Sequence, residues 1–102
     1  MNREEAKEWI KKTCGKGWLN LVDRVFDNLP GNSSVTQTYQ KYAALKFDVD
    51  PYNEEFENYL EKIEEQSLNI CEKCGSKGHR YIVNNWEHTR CEEHSENGIY
   101  IE

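Results

Sequence analysis

An α+β fold is what this sequence predicts: two or three helices and a short antiparallel sheet in a single small domain spanning 1–102. Three observations carry that expectation. Apolar residues recur at helical spacing in three stretches, 3–12, 19–29 and 51–67. Leu45, Phe47 and Val49 alternate with Lys46, Asp48 and Asp50, the pattern of a half-buried strand. Near the C-terminus, Cys71, Cys74, Cys91 and His94 follow the spacing Cys-x2-Cys-x16-Cys-x2-His.

The elements follow in chain order. Ala6, Trp9 and Ile10 fall on one side of a charged stretch, predicting a first helix that Gly15 and Gly17 break. Leu19, Leu21, Val22, Val25, Phe26 and Leu29 predict a second, ended by Pro30-Gly31. From Val35 to Asp50 two readings stand side by side. Tyr39, Tyr42 and Ala43 fit a helix, while Leu45, Phe47 and Val49 fit a strand. Asp50-Pro51 then starts a third helix, with Pro51 near its first turn and Glu54, Glu55 and Glu57 at the positive end of the dipole. Phe56, Tyr59, Leu60, Ile63 and Ser67 share its buried face, and Glu61, Glu64 and Glu65 face solvent.

That helix runs directly into the cysteine segment, so the chain divides into an α+β scaffold, 1–67, and an integrated segment, 68–102. Within the latter, Tyr81-Ile82-Val83 and Trp86-Glu87-His88-Thr89 flank Asn84-Asn85. Asparagine tolerates positive φ, so a tight hairpin is expected there. Cys91 and His94 should open a helical turn, and Gly98 should precede a short strand, Ile99-Tyr100-Ile101.

Two pairs of soft ligands, each spanning one turn and joined by a loop that can fold back, suit a tetrahedral zinc ion. The order of turn, hairpin and second ligand pair predicts a treble-clef-like finger, with a zinc ribbon as the alternative. Gly75, directly after Cys74, lets backbone amides turn toward sulfur. Cys71-x2-Cys74-x4-His79 also begins like a retroviral-type knuckle, but its fourth ligand would fall on Asn84, a poor zinc ligand. Paired disulfides are the competing use of the four cysteines, and they leave the Cys91/His94 spacing unexplained. Closure by four protein ligands predicts a structural metal, since a catalytic zinc keeps a position open. Glu92 and Glu93 sit beside the ligands, but acidic residues are expected there at a helix start in any case. Structural zinc contributes about 10–16 kcal/mol in small peptides, a large share for a chain of 102 residues.

Composition narrows the partners. The chain is 36% hydrophobic, 31% charged and 12% aromatic, and its net charge is -6. Its mean hydropathy is -0.99. Bulk attraction to nucleic acid or anionic lipid is therefore disfavoured. Between Cys74 and Cys91, however, Lys77, Arg80 and Arg90 stand against Glu87 alone, so the loop is locally basic. No apolar run reaches membrane-spanning length, and no secretory stretch opens the sequence, so a reducing cytoplasm is the expected setting.

Arg80, Tyr81, Trp86 and Arg90 are the candidate partner-binding residues. The competing expectation makes Tyr81 and Trp86 the small core of the finger, and likewise places Trp9 and Trp18 in the main core. His79 and His88 are expected on the hairpin surface or behind the metal ligands, and Cys14 as a small buried hydrophobe.

Ile70-Cys71-Glu72-x-Cys74-Gly75-x2-Gly78, followed by Trp86-x2-Thr89-x-Cys91-x2-His94, resembles the C-terminal signature of a family of small uncharacterised bacterial and prophage proteins. Gly17-Trp18-x2-Leu21-Val22 and the stretch from Gln37 to Phe47 are similar to that family's upstream segments, with Ala43-Ala44-Leu45-Lys46 where relatives carry Gly-Gly-Leu-Arg-like residues. The resemblance implies zinc binding and a small α+β fold, and implies no established activity. The leading expectation is thus a non-enzymatic interaction or regulatory protein, encoded by a phage or mobile element, that presents its zinc hairpin to a protein partner. A nucleic-acid-binding finger is the second expectation, and a zinc-dependent hydrolase the third.

Overall fold

The structure, a computed structural model, describes residues 1–101. Its α+β architecture has three helices and two small antiparallel sheets. Helices α1 (Arg3–Thr13) and α2 (Leu19–Asp27) are followed by the hairpin β1 (Ser34–Lys41) and β2 (Ala44–Asp50). Helix α3 (Glu54–Ser67) leads to β3 (His79–Val83) and β4 (Trp86–Arg90), a 3₁₀ turn (Glu92–His94) and β5 (Ile99–Tyr100). Strands β4-β3-β5 form the second sheet in that order.

Local chemistry accounts for the helix ends. Asn2 caps α1 through its side chain and forms a capping box with Glu5, while Lys11 and Lys12 occupy the negative end of the dipole. The start expected at Asp50-Pro51 moves downstream. Asn53 is the cap, its Oδ1 accepting from the Phe56 amide at 2.9 Å, and Pro51 lies before the helix.

The segment 35–50 is a hairpin throughout, so the helical reading of Tyr39, Tyr42 and Ala43 is corrected. Tyr42 (φ 51) and Ala43 (φ 70) form the two-residue turn between β1 and β2, the left-handed geometry that twisted hairpins require. The cost of that backbone is offset by burial, because Ala43 is fully buried and its carbonyl accepts from Thr89 Oγ1 at 2.7 Å.

The main core lies between α1, α2, the β1–β2 hairpin and α3. Ile10, Trp18, Val22, Val25, Leu45 and Ile63 are all at most 1% exposed. Ser67 on the buried face of α3 is satisfied by donating to the Glu64 carbonyl and accepting from the Leu45 amide. Glu64 is not merely solvated: it pairs with Lys46 across the α3–β2 contact. Trp9 departs from expectation. It is 45% exposed, whereas Ala6 and Ile10 are the buried residues of that helix.

The segment read as 68–102, described as far as Ile101, is seated on the scaffold by the α1–α2 connection. Gly17 N–H donates to the Glu72 carbonyl at 2.9 Å, and the Trp18 indole donates to the Ile70 carbonyl at 2.8 Å. A Cβ at Gly17 would lie 1.9 Å from the Cys71 carbonyl oxygen, so only glycine permits this approach.

Candidate metal centre

The Cys71–Cys74 turn is closed by two backbone hydrogen bonds, Gly75 N–H to the Cys71 carbonyl and Cys71 N–H to the Ser76 carbonyl. Gly75 sits at φ 86, a region strained for any side chain. From this turn the chain enters β3, reverses at Asn84 (φ 53) and Asn85 (φ 65), and returns along β4 to Cys91. Cys91 occupies the cap position of the 3₁₀ turn that carries His94, and His94 N–H donates to the Cys91 carbonyl at 3.1 Å.

Cys71, Cys74, Cys91 and His94 thereby converge, with their ligand atoms all within 4.8 Å of one another. The Cys74 and Cys91 sulfurs are 3.7 Å apart, and His94 Nδ1 lies 3.1 Å from Cys91 Sγ and 3.9 Å from Cys71 Sγ. A tetrahedral zinc with metal–sulfur distances of ~2.3 Å has sulfur–sulfur edges of ~3.8 Å. The donor set and its spacing can therefore hold a metal ion such as zinc.

The electrostatics of the thiols differ. Burial pushes the Cys71 thiol up, and the amides of Cys91, Cys74 and Lys73 aimed at its sulfur offset this only in part. The Ser76 hydroxyl and amide hold the Cys74 thiol below its ordinary range. A coordinating cation deprotonates such thiols outright, whatever their unbound preference. Cys14 lies outside the cluster and is buried, as expected, with its thiol pushed up to about 11 by desolvation.

No known protein family, curated protein or solved structure matches this chain.

The four candidate partner residues do not form one face. By the β3–β4 register, Val83 faces Trp86 and Tyr81 faces His88 on one side of the sheet, while Arg80 pairs with Thr89 on the other. Arg90 is withdrawn altogether, at 5% exposure. Its guanidinium pairs with Glu96, lies 3.8 Å from Glu72 Oε2 and donates to the His94 carbonyl at 3.3 Å. It ties the first ligand turn to the second, so its role as an exposed basic contact is corrected to that of a clamp.

Trp86 is not the core of the finger either. It is 53% exposed, and its indole donates to Gln40 Oε1 on β1. Tyr81 is half-buried and packs edge-on against Tyr100, as does His79. His88 turns toward the first ligand turn and β1, its Nδ1 3.0 Å from Glu72 Oε1 and 3.1 Å from Gln40 Nε2.

Glu72 and Gln40 are the residues that sequence reasoning passed over. Glu72, wholly buried between two ligands of the first turn, reads in sequence as an ordinary acidic loop residue. Its one signal was position: a charged side chain inside a tight ligand turn must be either solvated or paired.

Proposed function

We propose that this chain is a non-enzymatic, zinc-stabilised interaction or regulatory protein of the cytoplasm. Its C-terminal segment is a structural zinc finger, and its hairpin is presented to a protein partner. The observation that carries the reading is the convergence of three thiols and one imidazole on a single point, at spacings suited to one tetrahedral ion. Four protein donors leave no coordination position for water or substrate, which supports a structural over a hydrolytic metal.

The order of ligand turn, hairpin and second ligand turn fits a treble-clef-like arrangement, completed by a 3₁₀ turn. The resemblance to small bacterial and prophage proteins supports a phage or mobile-element origin. The nucleic-acid alternative loses its main support with Arg90 engaged internally and Arg80 on the face opposite Trp86.

Cobalt substitution and metal analysis test the finger. One equivalent of metal per chain is expected, with the intense visible bands of tetrahedral thiolate cobalt, and Cys91→Ser should weaken them. Absence of bound metal in reduced, purified protein would refute the reading. For the partner, crosslinking from a photoreactive group placed at Trp86 should trap one protein reproducibly, and a group placed at exposed Gly31 should not.

A further inference from the structure

The four thiols of the chain differ in access. Cys71 and Cys14 are buried, whereas Cys74 is exposed and Cys91 half-buried. An oxidant arriving from solvent therefore meets Cys74 first. Its sulfur stands 3.7 Å from that of Cys91, and a disulfide requires about 2.05 Å. A small movement of either turn brings the two sulfurs into bonding range.

Backbone contacts hold the two turns together without help from an ion. Glu72 N–H donates to the Thr89 carbonyl at 2.9 Å, which fixes the first ligand turn to the end of β4. The Arg90 guanidinium reaches the His94 carbonyl and Glu96 in the second turn. Mobility is unequal within this frame. Cys71 is wedged, since Gly17 lies against its carbonyl and its amide is bonded to the Ser76 carbonyl. Cys91 opens a single 3₁₀ turn that contains no buried residue, so it can shift at less cost. An accessible thiol beside a second thiol that can shift toward it is the arrangement of a reversible redox pair.

We infer that Cys74 and Cys91 form a redox modification site, a dithiol that a peroxide converts to a disulfide with release of the metal. The released ion rests on the zinc reading above; the pairing of the two sulfurs does not. In the first step the Cys74 thiolate attacks one peroxide oxygen. The O–O bond breaks, hydroxide leaves, and the sulfur becomes a sulfenic acid. The Cys91 thiolate then attacks that sulfur, forming the S–S bond while the S–O bond breaks and a second hydroxide leaves. Solvent protonates both hydroxides to water, and two electrons have passed from the sulfurs to the peroxide. Two thiolate donors are lost, and Cys71 and His94 alone cannot close a four-coordinate site.

The test treats the reduced full chain, its zinc content measured beforehand, with one equivalent of hydrogen peroxide. The reaction is quenched in acid, alkylated under denaturing conditions and mapped by peptide mass spectrometry, and released zinc is followed with a coloured chelator. A crosslink between the Cys74 and Cys91 peptides is expected, with Cys14 and Cys71 recovered as alkylated thiols. One zinc should leave per crosslink, and a thiol reductant with added zinc should restore the starting state. A Cys71–Cys74 crosslink as the main product, or Cys74 carried to sulfinic acid without a crosslink, overturns the pairing. Cys91→Ser removes the resolving thiol, so dimedone should then label Cys74; labelling elsewhere in its place overturns Cys74 as the point of attack. Zinc-free protein that still forms the crosslink would refute the metal reading and leave the dithiol standing. Zinc-loaded protein that forms none would overturn the dithiol alone.

Discussion

Gly17 lies directly beneath Cys71, with its missing Cβ 1.9 Å from the Cys71 carbonyl oxygen and its amide bonded to the next carbonyl, that of Glu72. A loop between two helices thus cradles the backbone of a ligand turn. Gly17→Ala cannot be absorbed by moving a flexible side chain, since the obstacle is backbone. A loss of about 3 kcal/mol is expected in urea unfolding of the zinc-loaded protein. Gly31→Ala, where nothing lies within 4 Å of the added methyl, is the control and should be neutral or stabilising by about 0.5 kcal/mol.

Metal removal should act unevenly along the chain. The main core is built from α1, α2, the first hairpin and α3, whereas the second sheet has little apolar burial beyond Val83. Chelation is therefore expected to collapse the amide resonances of β3, β4 and β5 while dispersion persists for Leu45 and Ile63. An amide spectrum unchanged by chelation would contradict a structural metal.

Arg90→Ala should behave as a core mutation and not as a surface one. It strands Glu72 without its nearest fixed cation and frees the His94 turn, and breaking a buried pair costs about 3–5 kcal/mol. Lys12→Ala, exposed at the end of α1, should cost clearly less. Thermal melts of the two variants, run in parallel with excess zinc, make the comparison.

Alkaline pH should destabilise the fold through Cys14. Its thiol rises from 9.0 to about 11 in the folded protein, so the folded state holds its proton more tightly than the unfolded state. The stabilisation is complete below pH 9 and is lost progressively as pH rises toward 11, a total of about 2–3 kcal/mol. Cys14→Ala should flatten that part of the pH–stability curve, whatever its effect at neutral pH.

Tyr42→Asn should stabilise the first hairpin. The left-handed backbone at Tyr42 costs a residue of its kind ~1–2 kcal/mol, which asparagine largely avoids. The exposed ring gives up only a Lys41 contact worth about 0.5 kcal/mol. A net gain of about 0.5–1 kcal/mol in urea denaturation is expected.

The two hairpins show why one was legible and the other was not. Both turn through two residues at positive φ, but Asn84-Asn85 advertises that geometry and Tyr42-Ala43 does not. Tertiary contacts, the burial of Ala43 and its bond to Thr89, impose the first turn on residues with no local preference for it. The Cys71, Cys74, Cys91 and His94 cluster was legible because its spacing is local within each pair. Arg90 and Glu72 were not, since their roles depend on a fold that brings β4, the ligand turn and the 3₁₀ turn together. Trp9 and Trp86 misled for a simpler reason: an indole is large enough to suggest a core, yet apolar area alone does not say which side of an element faces inward.

The bond from Trp18 to Ile70 joins residues 52 apart in sequence. Closing so long a loop costs entropy before any contact rewards it, whereas each ligand pair closes over two intervening residues. Assembly order follows from this difference. A metal bound at the cluster would hold each ligand pair in a local turn, whereas seating that segment on the α1–α2 connection requires the long closure. Folding speed is therefore expected to follow residues 15–18, which make the long-range contacts, more closely than the candidate ligands, a comparison that refolding rates of Gly17→Ala and Cys91→Ser would make.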